Sequence, residues 1–262
     1  TRYRSSAASD VYKRQSNALC RIGNSEPQGV PVRILVYGDS NSWGYLDDGS
    51  GRRYENRWPV VMAGELAARG MPVELVEECL PGRTTSTDDA ESPNGDPALL
   101  NGTGPLAAIL LSQQPLDHII LMLGTNDMKV RFGRDAAAIA AGVMQLAAII
   151  KATPAGHGGW DGKEPAALTV ICPPELGARA DDPKWIRHDE WRGGRAASQE
   201  LPAILGPACA AAGIGFVDGN EYATSSDLDP IHWTAATHEA FGAAIATRLA
   251  SRLKSASRHG PA

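Results

Sequence analysis

The chain has no stretch near the roughly 20 consecutive apolar residues that a membrane-crossing helix requires, so no helical span is expected. Runs of basic residues are missing as well. Lys and Arg are dispersed and number 25 against 30 Asp and Glu, a net charge of -5 that offers nucleic acid or another polyanion no docking field. Cysteine is scarce: Cys20, Cys79, Cys172 and Cys209 stand far apart without a C-x-x-C pair. His157, His188, His232 and His238 show no ligand pairing with suitably spaced carboxylates. Neither a zinc site nor a redox pair is therefore expected, and no metal or other cofactor. Residues 1–29 lack the apolar middle of a secretory signal, which makes the cytoplasm the expected compartment. That segment is polar and serine-rich, and residues 8–15 look more like an assembly scar than a natural start, so 1–29 is expected to be a tail, partly non-native or disordered. One domain is expected over residues 30–256, followed by a short C-terminal tail over 257–262.

What the chain does have is alternation of strand-like and helix-like segments. Residues 32–37 form a β-branched apolar run stopped by Gly38. Residues 58–69 carry Pro59 near the start and Gly70 at the end, the usual punctuation of a helix. The alternating residues 73–79 predict a half-exposed strand near an edge, and the continuous run 117–123 a strand buried on both faces. Helices are expected over 104–114, 134–151 and 194–212, with further strands at 167–172 and 215–218. A last helix is expected to begin with Thr234 as its N-cap. Five such alternations predict a three-layer α/β/α sandwich around a five-stranded parallel sheet.

Ligands of open α/β sheets bind beyond the carboxyl ends of the strands. Four short segments fall there: Gly38-Asp39-Ser40-Asn41, Pro81-Gly82-Arg83, Gly124-Thr125-Asn126-Asp127 and, before the last helix, Asp229-Pro230-Ile231-His232. Each read alone is an ordinary turn, since Gly, Asp, Asn, Ser and Pro favour turns. Together they supply a serine, amide donors, a carboxylate and a histidine, the parts for nucleophilic catalysis at a carbonyl. A serine hydroxyl needs a base, which makes His232 the candidate partner of Ser40, and Asp229 is spaced to hold the other imidazole nitrogen. The G-x-S-x-G elbow is absent, because Ser42 stands where its second glycine belongs, and this disfavours the α/β-hydrolases.

The four segments resemble the motifs of the SGNH, or GDSL-like, hydrolases, whose flavodoxin-like fold the predicted sheet matches. Gly38 to Trp43, Trp58, Glu77-Glu78, Arg83-Thr84-Thr85, Leu116-Asp117, Met122 to Asp127 and Asp229 to Thr234 look like the bacterial arylesterase and acyltransferase branch, over roughly residues 32–253. The resemblance implies Ser40 as nucleophile, Asp229 and His232 as the rest of a triad, and an oxyanion hole from the N-H groups of Ser40 and Gly82 with the Asn126 amide. Asp39, Asn41, Trp43 and Trp185 are the candidate substrate-binding residues, with Trp185 and Trp191 in the loop after the fourth strand. Two departures stand out. Asn41 replaces the leucine of the GDSL motif, which predicts a more polar pocket beside the nucleophile, and the stretch 154–165 looks longer than in the family it resembles. The implied activity is hydrolysis of short-chain esters, with acyl transfer to alcohols as an extension and carbohydrate deacetylation as the alternative. A silent binding module of the same fold is the reading from a different class. The expected partners are a small ester and a water or alcohol acceptor, and the resemblance implies a homo-oligomer.

Overall fold

Five parallel strands lie in the order β2-β1-β3-β4-β5, with β1 Val32–Gly38, β2 Val73–Cys79, β3 His118–Met122, β4 Ala167–Cys172 and β5 Gly215–Asp218. This is the three-layer α/β sheet that the sequence predicts. The computed structural model describes residues 30–157 and 164–256; the predicted tails, Cys20 and the middle of the 154–165 stretch lie outside the described residues.

Position in the sheet follows from sequence. β3 is central, all five of its residues are buried, and its run His-Ile-Ile-Leu-Met has no alternation because helices cover both faces. β2 is an edge strand, and its alternating Val-Glu-Leu-Val-Glu-Glu leaves every residue at least partly accessible.

Successive side chains of a strand point to opposite faces, so each strand feeds two cores. On one face Leu35, Tyr37, Ile119 and Leu121 pack with α3 (Thr103–Gln113), α4 (Ala136–Ala152) and α6 (Gly194–Ala211). On the other, Ile34, Val36, Ile120 and Met122 pack with α2 (Trp58–Ala68) and α7 (Ala235–Ala256). There Phe241 meets Trp58 edge-on, with ring centroids 5.5 Å apart, and tilts against Trp233 at 4.8 Å. Trp233 thereby sits in the core immediately after His232, which gives the base-bearing loop a rigid foundation.

Two short helices, α1 (Ser40–Trp43) and α5 (His188–Trp191), were not legible in the sequence. Most expected bounds differ from the observed ones by at most one residue, and one start is corrected by two. The helix expected from residue 134 begins at Ala136, because the Asp135 side chain accepts the Ala138 N-H at 2.8 Å and caps it, leaving Arg134 outside. The predicted Thr234 cap is present, its Oγ1 accepting the Thr237 N-H at 3.1 Å. Among the described residues no helix is long and apolar enough to cross a membrane.

Candidate active site

Strand register brings the candidate residues together. Gly38 of β1 pairs with Cys79 of β2 on one side and Met122 of β3 on the other, so three neighbouring strands end level. The chain beyond each end carries Ser40, Gly82 and Asn126. Ser40 opens α1, and the Asp39 side chain caps that helix by accepting the Asn41 N-H at 3.0 Å.

The fourth segment reaches this corner through contacts spanning most of the chain. The Asn41 Nδ2 donates to the Ile231 carbonyl at 3.1 Å, Leu46 pairs with Trp233 as a parallel bridge, and the Asp47 N-H donates to the Trp233 carbonyl at 3.2 Å. His232 Nε2 then lies 3.0 Å from Ser40 Oγ, and His232 Nδ1 lies 2.6 Å from Asp229 Oδ2. The other Asp229 oxygen accepts the Ile231 N-H at 2.9 Å, which orients the carboxylate. A proton can pass from the serine oxygen to Nε2 while Nδ1-H stays on the carboxylate, the arrangement that makes a hydroxyl nucleophilic.

Gly82 sits in the left-handed region at φ +87°, and a Cβ there would also press on Leu100 at 3.2 Å. Both facts call for glycine at this turn. Asn126 opens a short 3₁₀ turn, and its Nδ2 donates to the Arg83 carbonyl at 3.2 Å. One amide N-H is thus spent on fixing the side chain, leaving the second for an oxyanion. Arg83 braces the same corner: its guanidinium donates to the carbonyls of Glu78 and Gly38, the latter at 3.1 Å, and stacks 4.1 Å over Tyr37. Through it the ends of β1 and β2 and the Asn126 side chain share one anchor.

The four candidate substrate-binding residues divide. Trp43 is partly exposed, 6.5 Å from the Tyr45 ring and with Arg53 5.6 Å over its face. Asn41 is 2% exposed, so instead of a polar pocket wall it is a tie between the serine and histidine loops. Asp39 is likewise buried as a cap. Trp185 is 8% exposed and belongs, with Trp191, to the core cluster that contains Leu176 and Ala180, so it anchors the loop after β4 and has little free surface for a ligand. Sequence reasoning missed Tyr45, whose ring lies 4.4 Å from the His232 imidazole. The signal available was an aromatic residue just past the nucleophile helix, in step with Trp43.

Burial dominates the electrostatics. It raises Asp39 to about 6 against the opposing Asn41 hydrogen bond and the His232 charge. Asp127 is raised for the same reason, opposed by hydrogen bonds from Thr85 and the charge of Arg134. Asp229 goes the other way: its burial is outweighed by the His232 hydrogen bond and charge, which hold it below the usual carboxylate range. His118 and His238 are pushed down to about 4, chiefly by burial, and fold as neutral rings.

Acidification acts on these buried groups with opposing signs. The stabilisation tied to neutral His118 and His238 is present above pH 6.5 and is lost on acidification through about 4, at about 3 kcal/mol each. Asp39 contributes oppositely, its stabilisation being present below 3.8 and lost as pH rises through about 6. Urea midpoints are expected to fall between pH 7 and pH 4, and Asp39→Asn is expected to raise the pH 7 midpoint and steepen that fall. Identical pH dependence in the parent and Asp39→Asn would contradict the assignment for Asp39.

The GDSL-like lipase/acylhydrolase family model matches residues 36–240, a span that contains all four segments. The chain belongs to this family. Solved relatives agree across nearly their full lengths. A carbohydrate acetylesterase from Sinorhizobium meliloti is 31% identical with a TM-score of 0.74, over 84% of this chain and 99% of its own. The M. smegmatis aryl esterase is 32% identical with a TM-score of 0.72, over 84% and 99%. A lipase/acylhydrolase from Enterococcus faecalis, 18% identical with a TM-score of 0.58 over 84% of this chain and 96% of its own, shares the fold. No curated protein matches the sequence. As a GDSL-like, or SGNH, family member the chain is an ester hydrolase.

Proposed function

We propose that this GDSL-like protein is a serine esterase that cleaves short-chain carboxylic esters, such as acetates of phenols or simple alcohols, through an acyl-enzyme on Ser40. The observation that carries the reading is the unbroken line from Ser40 Oγ to His232 Nε2 at 3.0 Å and from His232 Nδ1 to Asp229 Oδ2 at 2.6 Å. In this reading His232 takes the serine proton as Oγ attacks the acyl carbon, and the N-H groups of Ser40 and Gly82 with the Asn126 amide stabilise the oxyanion. The imidazolium returns the proton to the departing alcohol. Water or a second alcohol then attacks the acyl-enzyme, giving hydrolysis or acyl transfer. Tyr45, tilted against the imidazole at 4.4 Å, and Trp43, 6.5 Å from the Tyr45 ring, support an aromatic or small alkyl group at the entrance. Likeness to the M. smegmatis aryl esterase supports the aryl side of this proposal.

Carbohydrate deacetylation is the second reading, favoured by the similarity to the Sinorhizobium meliloti carbohydrate acetylesterase. The two are separated by rates on phenyl acetate and on a peracetylated sugar, measured with and without added alcohol. We expect the higher kcat/KM on phenyl acetate, a new ester product when alcohol is present, and stoichiometric labelling of Ser40 by a fluorophosphonate. A clear preference for the sugar acetate establishes the second reading. Absence of both turnover and labelling on folded protein leaves a binding module.

A further inference from the structure

The Gly82 and Asn126 turns come from different strands, yet an oxyanion hole needs their donors held to within a fraction of an ångström. Two residues close to them in sequence are joined directly. Asp127, next to Asn126, accepts the Thr85 N-H at 2.8 Å with one carboxylate oxygen and the Thr85 hydroxyl at 2.6 Å with the other. Asp127 and Thr85 are both fully buried. Arg134, the residue the Asp135 cap leaves outside α4, closes the cluster. Its Nη1 lies 3.0 Å from Asp127 Oδ1, 3.2 Å from Thr85 Oγ1, 3.2 Å from Ser86 Oγ and 2.6 Å from Thr87 Oγ1, while Nη2 donates to the Ala138 carbonyl.

The neighbouring helix makes room for this cluster. A Cβ on Gly142, in the middle of α4, would overlap Thr85 Oγ1 and stand 2.9 Å from Arg134 Nη2. Glycine inside a helix ordinarily costs about 0.5–1 kcal/mol relative to alanine. Here the missing side chain is the space the clamp fills.

We infer that Asp127, Thr85 and Arg134 form a positioning clamp that sets the distance between the Gly82 turn and the Asn126 amide, and so the geometry of the oxyanion hole. The clamp touches neither substrate nor reacting atoms; it acts through the two turns. It rests on the serine-esterase reading, because the donors it positions are the ones that reading assigns.

Thr85→Val keeps the shape and the backbone N-H but removes the 2.6 Å bond to Asp127. Its kcat on p-nitrophenyl acetate is expected to fall about 10- to 100-fold, as for an ångström-scale misplacement, with KM within about 2-fold. Thr85→Ser, which restores the hydroxyl, is expected to recover most of kcat. Gly142→Ala is expected to lower kcat in the same way through the added methyl. Phenylboronic acid, which forms a tetrahedral adduct on an active serine, is expected to bind both damaged variants more weakly in parallel with kcat. That parallel loss is a signature that a purely structural role would not produce.

Parent-level kcat and boronate affinity in Thr85→Val and Gly142→Ala overturn the clamp, as does a rise in KM with kcat unchanged. Should Thr85→Val fail to fold, Gly142→Ala carries the same test from the helix side. Ser40→Ala assayed alongside keeps the two claims apart. If it is inactive while the clamp variants match the parent, only the clamp falls; if it retains parent activity, the serine-esterase reading falls and the clamp with it.

Discussion

Ser40→Ala is expected to lower kcat/KM on p-nitrophenyl acetate by at least about ten-thousand-fold, the usual cost of removing the nucleophile of a serine triad. Without Oγ no acyl-enzyme forms. The residual rate comes from water held near His232 and from whatever stabilisation the Gly82 and Asn126 donors still give. Folding is expected to survive, because Oγ is hydrogen-bonded to His232 while α1 is held by the Asp39 cap and by the Gly44 and Tyr45 N-H bonds to the Ser40 carbonyl. Steady-state rates paired with urea midpoints make the test. A Ser40→Ala protein with parent stability and more than about one-tenth of parent activity would remove the nucleophile assignment.

Asp229→Asn is expected to be nearly as damaging, at about ten-thousand-fold in kcat. The asparagine Oδ1 can still accept the Ile231 N-H, so the loop is retained. What changes is the face toward His232. An amide N-H pointed at Nδ1 favours the imidazole tautomer with its proton on Nε2, where it can no longer take the serine proton. The low ionisation range of Asp229 adds to the effect, since the parent carboxylate stays charged throughout the neutral region and stabilises the imidazolium. Measured kcat within about 10-fold of the parent would show that Asp229 is dispensable for orienting the base.

The strands were readable because burial writes itself locally. The predicted spans of β2, β4 and β5 coincide with those observed: β4 is an apolar, β-branched run, β2 alternates Val and Leu with Glu as an edge strand does, and β5 is a short Phe-Val pair bounded by Gly and Asp. The grouping of Ser40, Gly82 and Asn126 was readable for a related reason, as every parallel strand of this sheet ends on the same side. Long-range ties were not. Nothing near Asn41 says that its amide meets Ile231, 190 residues away, and the GDSL comparison suggested a pocket wall where the structure has a buried tie. Arg134 looked helical because alanines follow it, and only the Asp135 cap and the buried Asp127 carboxylate explain its withdrawal. Trp185 looked like a pocket aromatic because a loop sequence does not reveal which of its side chains fold back into the core.

The hydrogen bond between Ser40 and His232 spans 192 residues, nearly the length of the domain, and the loop bearing the histidine rests on the last helix. During synthesis Ser40 leaves the ribosome 192 residues ahead of His232. In the proposed triad, no partial chain ending before residue 232 contains an activated serine. On the serine-esterase proposal, esterase activity can therefore appear only after all five strands have been made, which makes catalysis a report that the sheet has formed.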